Sequence, residues 1–137
     1  MHLALEASKK SLGICNPNPS VGAVIIKDGE VISTGWTDRP GFDHAEKMAI
    51  QNCKSDLTGS SLYVTLEPCC HYGRTPPCTD LIIESGISEI YISVKDPDKR
   101  VNGQGIQALL NAGLRVVVGD NELESKKIME SHFKYSR

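Results

Sequence analysis

The chain has 137 residues, enough for one domain that buries about two-thirds of the surface its unfolded form exposes. Fifteen Lys and Arg against 17 Asp and Glu leave a net charge of −2, which excludes the basic footprint of a nucleic-acid-binding protein. The longest apolar run, Val21 to Ile26, is far too short to span a bilayer, and residues 1–20 lack the basic-then-apolar order of a secretory signal. The expectations are a cytoplasmic location, no membrane and no nucleic acid.

In chain order, Leu3, Ala4, Ala7 and Leu12 recur at near-helical spacing and predict a helix over His2 to Leu12, stopped by Gly13. Val21 to Ile26 and Val31 to Trp36 are strand-like, and Asp28-Gly29 between them predicts a hairpin. Ala45 to Cys53 returns to helical spacing, with Asp43 ahead of it as the expected N-cap. Ser61 to Leu66 reads as a strand ended by Glu67-Pro68, because proline cannot continue a central ladder. A loop over Cys69 to Pro77 leads into a helix over Cys78 to Ser85, closed by Gly86, and then a strand over Glu89 to Val94. A polar loop, a helix over Ile106 to Ala112, a strand over Arg115 to Val118 and a last helix over Glu122 to Lys134 complete the pattern.

A hairpin followed by alternating helices and strands implies an α/β fold: a mixed sheet with a parallel half and helices on both faces. Ligand sites in such sheets lie outside the carboxyl ends of strands, and the Cys69 loop begins at one of these.

Five cysteines (15, 53, 69, 70 and 78) in a chain without a secretory signal argue for metal or thiol chemistry over a disulfide framework. His44-Ala45-Glu46, Pro68-Cys69 and Pro77-Cys78 occur in that order around one expected strand. One His and two Cys supply three zinc ligands, one short of a closed structural site. Zinc lowers the pKa of a bound water enough to make hydroxide near neutral pH, and Glu46 is placed to move its proton. His-x-Glu with Pro-Cys and a later Cys is the arrangement of zinc nucleobase deaminases. Positions i and i+2 of a helix point to different sides, so His44 and Glu46 cooperate only if the metal lies off the helix's first turn. Cys78 also opens a helix, so two positive helix ends are expected to face one site and favour thiolates.

Cys69 and Cys78 stand nine apart, whereas the usual deaminase spacing is Cys-x-x-Cys. Cys70 and His71 lie nearer. Adjacent side chains diverge, which disfavours Cys69 with Cys70, but His71 is a competing fourth ligand that would close the metal shell.

Three stretches resemble the deaminase domain of the bacterial riboflavin-biosynthesis RibD family. They are Asn16-Pro17-Asn18-Pro19-Ser20-Val21-Gly22-Ala23-Val24, His44-Ala45-Glu46, and the run from Thr65 to Cys78 containing Glu67-Pro68-Cys69-Cys70-His71 and Thr75-Pro76-Pro77-Cys78. The resemblance continues through Asp96-Pro97 and Gly103-Gln104-Gly105. It implies a three-layer α/β/α, cytidine-deaminase-like fold with a mixed five-stranded sheet, and zinc on His44, Cys69 and Cys78. It also implies Glu46 as proton shuttle and a phosphoribosylated diaminopyrimidinone as substrate, deaminated by zinc hydroxide with release of ammonia. Asn18, His71 and Arg74 match positions that line the family's substrate pocket; Asn reads a ring edge, while His and Arg hold phosphate. The chain departs from the family at Thr37, where a His is common after Gly-Trp, at Asp43 and at Asp98-Lys99. Residues 1–137 are expected to form one deaminase domain without a reductase domain, assembling as a homodimer, with a separate or fused reductase as partner. Two other readings are a deaminase of another small aminopyrimidine or aminopurine, and a non-catalytic zinc-stabilised binding module.

Overall fold

The computed structural model describes residues 1–10, 20–37, 44–69, 77–95 and 103–119. The expected last helix over Glu122 to Lys134, and the end of the first at Leu12, lie outside these residues. The described elements run α1 (His2–Lys9), β1 (Gly22–Lys27), β2 (Glu30–Trp36), α2 (Ala45–Asn52), β3 (Ser61–Leu66), α3 (Cys78–Ser85), β4 (Glu89–Val94), α4 (Gln104–Asn111) and β5 (Arg115–Val118).

The first turn sets the sheet's edge. Asp28 and Gly29 both take positive φ, 52° and 78°, which a two-residue type I′ hairpin requires. Lys27 pairs with Glu30, and a register shift at Ile25/Ile26 leaves Ile32 as the extra residue of a bulge in β2. β1 pairs antiparallel with β3 on its other side, β3 pairs parallel with β4, and β4 pairs parallel with β5. The order is β2-β1-β3-β4-β5, a mixed five-stranded sheet whose parallel half is joined through α3 and α4.

Strand alternation divides the core. Ala23, Ile25, Leu62, Val64, Ile90 and Ile92 face α2, α3 and α4, where Ala45, Ala49, Ile82 and Leu109 are buried with them. The opposite face carries Val24, Tyr63 and Tyr91 in register, and the two tyrosine rings stack at 4.5 Å with 5° between their planes. α1 packs on this second face against β1, completing three layers. Among the described residues, no helix is long and apolar enough to cross a membrane.

The buried stripe of α1 leaves out one of the apolar residues whose spacing marks the helix. Leu3 is 54% exposed, and Ala4, Leu5, Ala7 and Ser8 form the buried stripe. At 3.6 residues per turn Leu3 lies about 120° round the helix from the centre of that stripe, so Leu5 takes its place.

α2 approaches β2 so closely that a Cβ on Gly35 would sit 2.2 Å from the Ala45 carbonyl oxygen and 2.7 Å from the Ala49 nitrogen. Both are backbone atoms and cannot swing aside. The variant Gly35→Ala is expected to lose about 2–3 kcal/mol of stability, the upper part of the range for overpacking, measured by urea denaturation. A loss under about 0.5 kcal/mol would mean that α2 slides freely on the sheet.

Candidate metal centre

Three element ends converge at the carboxyl end of β3. His44 is the N-cap of α2, with extended backbone (φ −74°, ψ 162°), and its carbonyl accepts the first intrahelical bond from Met48 N–H at 3.0 Å. The N-cap expected at Asp43 is therefore His44 itself; Asp43 lies outside the described residues. The reason is local: His44 already has non-helical dihedrals, so the helix starts at Ala45. Its ring makes no capping bond and turns to the cysteines.

Cys69 leaves β3 just after Pro68, and Cys78 is the first residue of α3 behind its N-cap Pro77. The Cys78 N–H donates to Cys69 Sγ at 3.3 Å, and the Thr79 N–H donates to the Cys69 carbonyl at 3.1 Å. These are amide groups that a helix start leaves without intrahelical partners. α3 thus holds Cys69 at its side chain and its backbone together.

His44 Nδ1 lies 3.8 Å from Cys69 Sγ and 3.4 Å from Cys78 Sγ, and the three donor atoms fall within 4.8 Å of one another. A tetrahedral ion with zinc's bond lengths to sulfur and nitrogen spaces such donors about 3.5–3.8 Å apart. Two thiolates and an imidazole are a set that selects zinc among common divalent ions. The residues fit the metal. Among the described residues three ligands converge, the number that catalytic zinc sites use.

Glu46 sits in the first turn of α2 and is 4% exposed. Burial, and then the Cys69 thiolate, push its carboxyl up to about 7, while the charge of His44 and, less, a hydrogen bond with Cys78 act in the opposite direction. A cation on the three ligands would lower it as well. The two cysteines share a hydrogen bond that lowers the Cys69 pKa and raises that of the more buried Cys78. His44 is raised, chiefly by its hydrogen bond with Cys69.

The structure brings together His44, Glu46, Cys69 and Cys78. Asn18, Cys70, His71 and Arg74 lie outside the described residues, as does any closure of the metal shell by His71. Thr37 is buried; its hydroxyl accepts the Val21 N–H at 3.0 Å and donates to the Val21 carbonyl at 3.4 Å. Its side chain joins the end of β2 to the start of β1. One residue of the neighbourhood was not singled out from sequence. Glu67 is 3% exposed, and its carboxylate accepts the N–H groups of Gly103 and Ile106 at 2.9 and 3.1 Å. No local sequence signal marks it, because its partners lie 36 and 39 residues downstream.

Residues 1–94 match the cytidine and deoxycytidylate deaminase zinc-binding region family. The chain is 40% identical over 137 residues to the diaminohydroxyphosphoribosylamino-pyrimidine deaminase of Buchnera aphidicola subsp. Schizaphis graminum, covering 100% of this chain and 93% of that protein. It is 46% identical over 135 residues to the riboflavin biosynthesis protein RibD of Aquifex aeolicus, where the match takes in 98% of this chain but only 38% of the relative. Among solved structures it resembles the Thermotoga maritima diaminohydroxyphosphoribosylaminopyrimidine deaminase/5-amino-6-(5-phosphoribosylamino)uracil reductase at a TM-score of 0.92 and 48% identity, covering 99% of this chain and 40% of that one.

Proposed function

The chain belongs to the RibD family of zinc deaminases, and from that premise we propose that it hydrolyses the amino group of a phosphoribosylated diaminopyrimidinone in riboflavin biosynthesis. The observation that carries the proposal is a buried carboxyl, Glu46, beside a converging His44, Cys69 and Cys78. In the reaction the oxygen of water bonds to the ring carbon, the carbon–nitrogen bond breaks, and ammonia leaves. Zinc held by His44 Nδ1 and the two Sγ atoms supplies, when bound, the Lewis acidity that makes water nucleophilic near neutral pH. The Glu46 carboxylate takes the first proton that water gives up and passes it to the ring nitrogen, then takes the remaining hydroxyl proton and passes it to the departing amine. Its burial excludes bulk water from that exchange. The direct test is release of one ammonia per ribotide from the zinc-loaded chain. Turnover of cytidine or an adenine nucleoside in preference to the ribotide would replace the substrate.

Asn18, His71 and Arg74 are the proposed substrate contacts, with Arg74 gripping the phosphate in a fork that Lys cannot copy. The variant Arg74→Ala is expected to raise KM for the ribotide about 10- to 100-fold, the worth of charge-assisted hydrogen bonds, and to change it little for the dephosphorylated nucleoside. Equal losses on both would make Arg74 a shaper of its loop. A cytoplasmic homodimer working with a reductase, fused or separate, completes the reading. The reductase partner is supported by the T. maritima relative, which is both a deaminase and a reductase.

A further inference from the structure

The Glu67 carboxylate binds two N–H groups at the start of α4, while its own N–H donates to the Val94 carbonyl at 2.9 Å and extends the ladder between β3 and β4. Next to it, the Pro68 carbonyl oxygen lies where a Cβ on Gly105 would come within 2.2 Å. The residue after that is the ligand Cys69, held from the other side by the first two N–H groups of α3. Residues 67–69 are thus clamped between two helix starts, and proline's fixed φ leaves little freedom between the carboxylate and the ligand. A negative charge at a helix N-terminus is favourable, and charge-assisted bonds are about twice as strong as neutral ones.

We infer that Glu67 is a positioning residue for the metal: its carboxylate, by binding the start of α4, sets where Cys69 Sγ stands relative to His44 and Cys78. The inference rests on the zinc site described above. A cap for α4 alone would affect the stability of the chain; a positioning residue also affects the ion.

The test uses the full chain with zinc and with cobalt. Glu67→Gln keeps the shape but loses the charge and turns an amide toward an N–H donor. It is expected to weaken zinc about 10-fold in competition with a chromophoric chelator, the lower end of what losing a ligand's support costs, and to shift the thiolate-to-cobalt absorption bands. Ile90→Val, a core truncation on β4, is the control for stability alone and is expected to leave zinc affinity within twofold. Should Glu67→Gln fail to fold, Glu67→Asp, which keeps the charge on a shorter arm, carries the same two readouts. Zinc affinity and cobalt spectrum both matching the unaltered protein in the folded variant would overturn the inference and leave the metal site standing. An unaltered chain that takes up no zinc would overturn the site and the inference together.

Discussion

Glu46→Gln is expected to keep its zinc and lose its chemistry. The amide matches the carboxylate in size but cannot take a proton from water and return it to the substrate, and general acid–base groups contribute roughly 10²–10⁴-fold. Ammonia release should fall by at least that factor while metal content by atomic absorption stays at one ion per chain. The metal should persist because Glu46 is not among the three donor atoms that lie within 4.8 Å of one another. Near-normal turnover in this variant would remove Glu46 from the mechanism and leave the proton transfer to another group.

The second large effect is on the metal. Cys78→Ser replaces a buried thiol that lies 3.4 Å from His44 Nδ1 and whose backbone also supports Cys69. Zinc affinity should fall by more than the roughly 10- to 100-fold that loss of a ligand's hydrogen-bond partner costs, and activity should fall with it. Cys70→Ser should leave both unchanged. Zinc lost from the Cys70 variant and kept by the Cys78 variant would reassign the ligand set.

The metal ligands were legible because each is announced by its neighbours. His44 precedes an apolar helical repeat, Cys69 and Cys78 each follow a proline, and proline marks a strand end at one and a helix start at the other. The hairpin was legible from Asp28-Gly29, since few dipeptides tolerate two positive φ angles. Which face of α1 is buried was not legible, because four apolar residues near one end of a short helix fit two stripes, and contact with β1 chose between them. Glu67 could not be read in advance. Its partners lie 36 and 39 residues downstream, in a helix whose placement against the β3 exit depends on Gly105 lacking a side chain.

That the ligands come from separate element ends has a thermodynamic consequence. His44 stands 25 residues from Cys69 and 34 from Cys78, so an ion bound to all three closes long loops that an unfolded chain has no reason to close. Binding confined to the folded form adds about 1.4 kcal/mol of stability for each tenfold rise in free ion above the dissociation constant. The chain's resistance to unfolding is therefore a property it shares with its surroundings: the same sequence is a sturdier protein in a zinc-replete medium than in a chelated one.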